Sequence, residues 1–133
     1  MRRIAYGLLT ALALALPAVV KADPVQDTIL NQIEAFKADD FATAFTFASP
    51  SIKSIFMSPE NFGAMVKNGY PMVHRPGEVR MLEQRMVAGR LWQKVMITDQ
   101  AGQTHVLDYQ MIETPEGWQI NGVQLLPEPG VGA

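Results

Sequence analysis

The residues best suited to bind a ligand begin in the segment 70–76, which carries Arg75 between two prolines. Proline fixes its own backbone angle and pushes the residue before it toward extended geometry. The segment is therefore predicted to be a stiff connector. A guanidinium on such a connector matches a carboxylate bidentately, which suits an anionic ligand. In the alternative role, which we favour, Arg75 binds backbone carbonyls or Asp108 and locks the connector.

Two aromatic residues further along the chain complete the predicted site. Tyr109 lies on the inward face of a predicted strand, so its neighbour Asp108 must face away. Trp118 begins the last predicted strand. Aromatic walls with one fixed cation suit a small amphipathic ligand that carries a carboxylate. We therefore predict that Tyr70, Arg75, Tyr109 and Trp118 border one cavity.

Residue types typical of catalysis are sparse. The two histidines are His74 and His105, and His105 shares a predicted strand face with Tyr109. A His105–Tyr109 pair would suit acid–base catalysis, but a solvated histidine near a strand end is the simpler interpretation. The chain has no cysteine, which removes thiol nucleophiles and disulfides. No catalytic residue is predicted.

Methionine is the one residue type that raises the question of a metal. Met72 and His74 would face the same way if the segment were extended, and thioethers with imidazole can hold copper. Methionine more often fills irregular gaps in a core. We therefore predict neither a metal nor a cofactor.

The first half of the chain has the pattern of helices. Asp40, Ser49 and Ser58 are candidate N-caps, and the two serines precede prolines at the first helical position. Asn68-Gly69 is predicted to end the last helix, because glycine accepts a left-handed conformation there. Apolar residues that share one face of the first helix recur at three- and four-residue spacing: Val25, Ile29, Ile33 and Phe36.

The second half has the alternating pattern of strands. Glycine-containing turns separate the runs, which favours hairpins. Asn121-Gly122 interrupts the last run, and a β-bulge is the better interpretation because the alternation resumes afterwards. The predicted fold is α+β, with N-terminal helices covering one face of a curved four-stranded antiparallel sheet. The four runs are 78–87, 91–98, 104–113 and 118–125.

The beginning of the chain has the pattern of an export signal. Arg2 and Arg3 precede an apolar stretch over 4–20, and Val20 and Ala22 place small or apolar side chains at the −3 and −1 positions that signal peptidase reads. A spanning helix needs about 20 apolar residues, and this stretch is shorter. Residues 1–22 are therefore predicted to be a cleaved signal peptide. The product is expected in the periplasm, with no stable membrane anchor after cleavage.

The predicted mature domain, residues 23–133, is acidic. Three of the 11 basic residues lie in the leader and all 13 acidic residues follow it, which leaves a net charge of −5. The remaining basic residues are scattered. Binding to nucleic acid requires clustered positive charge, so nucleic acid is not expected as a partner.

Three stretches carry a resemblance to a known family: LNQIEAF at 30–36 with Asp39-Asp40 and Ala44-Phe45, Gly69-Tyr70-Pro71 with Val73 and Arg75-Pro76, and WQINGV at 118–123. They resemble domain-of-unknown-function family 4864 over essentially the whole mature chain. Its members often carry a cysteine at the position of Val123, so no thiol role is carried over. The family is similar in architecture to the nuclear transport factor 2-like, or SnoaL-like, superfamily, which implies a cone-shaped sheet around a pocket.

That architecture implies no single function, because it hosts isomerases, dehydratases and plain binding modules. We expect a non-catalytic module that binds a small amphipathic or anionic ligand or a protein. The alternative is a cofactor-free isomerase or dehydratase. Trp92 and Met96 make the second strand apolar on both faces, so either the chain itself covers both faces or the outer face meets a partner, for which a homodimer through the sheet is the candidate.

Overall fold

A computed structural model describes residues 23–127, in which five helices precede four strands. The predicted leader lies outside the described residues. The helices are α1 Pro24–Lys37, α2 Phe41–Thr46, α3 Pro50–Phe56, α4 Pro59–Gly69 and α5 Pro71–His74. The strands are β1 Pro76–Val87, β2 Arg90–Asp99, β3 Thr104–Thr114 and β4 Gly117–Leu126.

The strands form one open sheet in the order β1-β2-β3-β4, with antiparallel pairing throughout. The predicted α+β class is therefore confirmed, and each predicted run lies within an observed strand. The bulge in β4 is also confirmed. Gln110 pairs with Gly122 and Met111 pairs with Ile120, which leaves Asn121 as the extra residue.

The bulge residue ties the sheet to the helices. The side-chain oxygen of Asn121 accepts a hydrogen bond from the Ser49 hydroxyl at 2.7 Å, and its amide nitrogen donates to Gln110 Oε1 at 2.7 Å. Ser49 is also the N-cap of α3, as predicted: its hydroxyl accepts a hydrogen bond from the Ile52 N–H at 3.2 Å. The other two predicted caps are confirmed: Asp40 accepts from Thr43 N at 3.1 Å and Ser58 from Asn61 N at 3.1 Å.

Two predictions about the connector need correction. The helix α4 ends at Gly69 as predicted, but Gly69 does not adopt a left-handed conformation, and the C-cap is Tyr70 with a φ of −135°. The segment after it is not extended, because residues 71–74 form the short helix α5. Only Tyr70 and Arg75, which precede prolines, leave helical geometry, with ψ of 58° and 71°. Proline at the first position of a helix lacks only an N–H that has no helical partner, so Pro71 starts a helical turn.

The core lies between α1 and the inner face of the sheet. Ile29, Ile33 and Phe36 on α1 are buried, as the spacing predicted, together with Val95 on β2 and Leu107 on β3. Each such aliphatic or aromatic side chain contributes about 1.5–3 kcal/mol when it is removed from water. This packing holds the helices against one face of the sheet and encloses the site described next.

Candidate functional site

A cavity of about 280 Å³ lies between the helices and the inner face of the sheet. Residues of four helices, α1, α3, α4 and α5, and of two strands, β3 and β4, contribute to its lining. Phe36 comes from α1, Phe62 and Val66 come from α4, and Tyr109 and Ile120 come from β3 and β4. Because Phe62 and Val66 are four residues apart on one helix, they share the face that meets the cavity.

An aromatic cluster forms the helical side of the cavity. The ring centroid of Phe62 lies 5.7 Å from that of Phe36, 5.7 Å from that of Phe56 and 5.3 Å from that of Phe45. Tilted and edge-on contacts at these distances are favourable for aromatic pairs. Phe36, Phe56 and Phe62 line the cavity directly, so much of its wall is rigid and apolar.

Two tyrosines place hydroxyl groups at the cavity. Tyr109 is 1% exposed, and its hydroxyl makes no hydrogen bond to any residue in 23–127. Burial raises the pKa of Tyr109, and the neighbouring Tyr70 adds to the effect, so this phenol stays protonated at neutral pH. Tyr70 donates to the Val123 carbonyl at 3.2 Å.

Gln32 is a polar residue on the otherwise apolar face of α1, and it lines the same cavity. Its Nε2 donates to the Ala44 carbonyl at 3.1 Å. That contact fixes the orientation of the amide, because a carbonyl partner accepts only from the nitrogen. The Gln32 Oε1 accepts no hydrogen bond from the part of the chain that the structure describes.

The cavity opens beside α3 and β4. Ile55 on α3 lines the opening and is 67% exposed, and Val123 on β4 lines it from the sheet. Met57, directly after α3, is 80% exposed and has a φ of 72°. This left-handed residue ends α3, since its N–H bonds to the Lys53 carbonyl. The opening is therefore bordered by apolar side chains.

Arg75 does not border the cavity. Its guanidinium binds both carboxylate oxygens of Asp39 and the carbonyls of Phe36 and Lys37, at 3.3 and 3.4 Å. The helical turn of α5 directs Arg75 to the C-terminal end of α1, where carbonyls lack helical partners. The favoured role, a lock that binds backbone carbonyls, is the one observed. Asp108 is not its partner, because Arg85 occupies it.

The carboxylate that Arg75 holds is shared with a histidine. His74 Nε2 lies 2.7 Å from Asp39 Oδ1, and the φ of Asp39 is 57°. His74 and then Arg75 hold the pKa of Asp39 below its ordinary 3.8. Met72 is buried in the core, whereas His74 is committed to Asp39, so the two do not form the pair considered for copper.

Trp118 lies at a second, open cleft rather than at the cavity. Its carbonyl accepts from the Thr28 hydroxyl at 3.1 Å. Trp118 precedes Val123 by five residues on β4, which is about 16 Å along a strand. The four predicted residues are therefore not brought together: Tyr70 and Tyr109 line one cavity, and Arg75 and Trp118 do not.

His105 does not pair with Tyr109. Its Nε2 lies 2.8 Å from Asp99 Oδ2, near the turn between β2 and β3. Four residues of strand, about 13 Å, separate it from Tyr109. His105 is the largest of the influences that hold the pKa of Asp99 below its ordinary 3.8. His105 lies near the end of β3 as expected, but it is partly buried against Asp99 rather than solvated.

Charged groups are absent from the lining that residues 23–127 provide for the cavity. Across the same residues, no three histidine, aspartate or glutamate side chains are arranged to hold a metal ion. None of the helices α1 to α5 has the length and hydropathy to cross a membrane.

Helices on one face of an open antiparallel sheet, with an apolar cavity between the layers, define an α+β domain. The chain belongs to the family described as Domain of unknown function (DUF4864), whose family model matches residues 19–133. A search of the curated proteins finds no match to the chain.

Proposed function

We propose that this protein is an exported, non-catalytic binding module that holds a small, uncharged, mainly apolar molecule in the cavity. The observation that carries the proposal is the lining itself. Phenylalanine and aliphatic side chains form most of it, and the Tyr109 hydroxyl has no hydrogen-bond partner within residues 23–127. Ligand sites are mostly apolar with a few placed polar groups.

The size of the cavity sets the size of the ligand. An apolar cavity of about 150 Å³ stays dry and holds benzene. At about 280 Å³, the cavity in this protein has room for an aromatic ring with a short substituent. Ile55 and Val123 at the opening give such a molecule an apolar path inward.

The lining favours an uncharged ligand over the anionic one expected from the sequence. A buried carboxylate needs a paired cation, and the cavity presents no lysine, arginine or histidine from the described residues. Arg75, the predicted cation, is committed to Asp39. The proposed ligand is therefore small and uncharged.

The same lining argues against the catalytic alternative. A cofactor-free isomerase or dehydratase needs a base that can accept a proton near neutral pH. Histidine and carboxylate side chains do not reach the cavity from residues 23–127. Burial keeps Tyr109 protonated, so it can donate a hydrogen bond but cannot act as that base.

Export, architecture and assembly remain part of the proposal. Asp23 supports cleavage after Ala22, because its carboxylate already caps α1 and accepts from Gln84 Nε2 at 2.7 Å. The cavity between helices and sheet supports a nuclear transport factor 2-like cone. Alternation on β2 places Trp92 and Met96 on the face away from the helices, which supports pairing of two copies through the sheet.

The test is to identify what the protein carries. The chain is expressed with its leader and purified from the periplasm, and its organic extract is compared by mass spectrometry with that of Val123→Phe, which adds a ring at the cavity wall. Leu125→Phe on the same strand is the matched control, because Leu125 does not line the cavity. Small neutral compounds enriched with wild type and Leu125→Phe but lost from Val123→Phe support the proposal. Identical extracts from all three proteins contradict it.

A further inference from the structure

The polar groups of the cavity define what its ligand must carry. We infer that Tyr109 and Gln32 form a polar recognition pair that selects a ligand group able both to donate and to accept a hydrogen bond, such as an alcohol, a phenol or a primary amide. The inference rests on the proposed function, and it names the class of ligand for the same cavity.

Gln32 supplies an acceptor. The buried residue is held by its Nε2, which donates to the Ala44 carbonyl at 3.1 Å, so Oε1 is the end left for a ligand. Gln32 Oε1 is not one of the side-chain atoms of residues 23–127 that are fully buried without a partner, so it keeps access to the cavity that Gln32 lines. An O–H or N–H on the ligand can donate to it there.

Tyr109 supplies a donor. It lies on the inner face of β3 among fully buried side chains, and its hydroxyl is not bonded within residues 23–127. The nearby Tyr70 has its proton directed to the Val123 carbonyl at 3.2 Å. Of the two tyrosine hydroxyls that residues 23–127 place at the cavity, the one of Tyr109 therefore has its proton available, and it requires an acceptor on the ligand.

The two requirements exclude other ligand groups. An ether or a ketone accepts from Tyr109 but cannot donate to Gln32. A carboxylate accepts but brings a charge that the lining does not balance. A hydrocarbon satisfies neither residue. A hydroxyl group or an unsubstituted amide satisfies both.

The experiment uses three probes of equal size: ethylbenzene, methyl phenyl ether and benzyl alcohol. Their affinities for the periplasmic protein are measured by calorimetry for wild type, Tyr109→Phe and Gln32→Met. Each substitution is expected to weaken benzyl alcohol about 5- to 10-fold and to leave ethylbenzene unchanged or tighter. The ether is expected to weaken with Tyr109→Phe and not with Gln32→Met. Gln124→Met, on β4 and outside the cavity, is the control for Gln32→Met, because the exposed Gln124 side chain makes no hydrogen bond within residues 23–127.

The outcomes separate the two claims. If the probes bind wild type but both variants change all three affinities equally, the recognition pair is wrong and the binding module stands. If none of the probes binds wild type, the proposed function fails, and the recognition pair fails with it. Thermal denaturation of each variant confirms that a lost affinity does not reflect an unfolded protein.

Discussion

Arg75 donates hydrogen bonds to both carboxylate oxygens of Asp39, at 3.2 and 3.0 Å, and so ties the residue before β1 to the turn after α1. The same guanidinium also covers two carbonyls at the end of α1. Such contacts give hydrogen-bond partners to the last carbonyls of the helix, and the positive charge interacts favourably with the helix dipole. Arg75 is therefore part of the scaffold, although a cationic residue between two prolines has the appearance of a ligand contact.

Replacing this arginine tests that role. Arg75→Met is expected to lower the melting temperature by several degrees and to leave the affinity of the cavity for benzyl alcohol unchanged. Arg80→Met is the control, because Arg80 is exposed and has no ion pair within the described residues. An unchanged melting temperature together with a lost affinity for benzyl alcohol would contradict the scaffold role and indicate that Arg75 contacts the ligand.

The buried ion pair on the outer face of the sheet gives a second prediction. Arg85 on β1 reaches across β2 to Asp108 on β3, whose side chain is 6% exposed. Arg85→Met leaves that carboxylate unpaired and is expected to cost about 2–3 kcal/mol. The figure is below the roughly 3–5 kcal/mol of fully buried pairs because Arg85 is a third exposed. Urea unfolding measures it.

The double variant Arg85→Met with Asp108→Leu removes both charges. It is expected to recover most of the lost stability, because an unpaired charge is worse than an apolar pair. A double variant less stable than Arg85→Met alone would show that the carboxylate is stabilised by something other than Arg85.

Gly63 allows the close approach of α4 to α2. A Cβ at Gly63 would lie 2.7 Å from two atoms of the Phe41 ring. Gly63→Ala is therefore expected to cost about 1–3 kcal/mol. Gly69→Ala in the same helix is the matched control: nothing lies within 4 Å, and the change is expected to stabilise by about 0.4–1 kcal/mol. Equal effects of the two substitutions would contradict this packing.

Stability is expected to depend on acid pH through two carboxylates. His74 lowers the pKa of Asp39, and His105 lowers the pKa of Asp99, from the ordinary 3.8. Their folded pKa values lie below the unfolded ones, so their contribution is present above pH 3.8 and is lost as the pH falls through the folded values. Melting temperatures between about pH 5 and pH 2 should fall more steeply for wild type than for Asp39→Asn with Asp99→Asn. Parallel curves would contradict the assignment.

The elements could be predicted from the sequence because their signals are local. The spacing of Ile29 and Ile33, the caps at Ser49 and Ser58, and the interruption at Asn121 each depend on a few neighbouring residues. Apolar periodicity and capping chemistry determine such features directly. The sheet order then followed from the short turns between the strands.

The site could be predicted only in part because it depends on tertiary contacts. The partner of Asp108 is set by the register shift between Met81 and Gln84 in β1, which no local pattern reveals. Phe62 and Val123 also line the cavity, although no sequence pattern assigned them to a site. Gln32 did carry a signal, since it is a polar residue on the apolar face of α1.

Methyl NMR can show directly whether the cavity is a ligand site. Benzyl alcohol is titrated into the isotope-labelled protein, and Val25 and Ile97, buried away from the cavity, serve as internal controls. The methyl groups expected to respond line the cavity: Ile52, Val66, Val73 and Ile120. Saturable shifts are expected for this set, with little change for the controls. No shift up to the solubility limit of the alcohol, or equal shifts in both sets, would contradict the proposed ligand site.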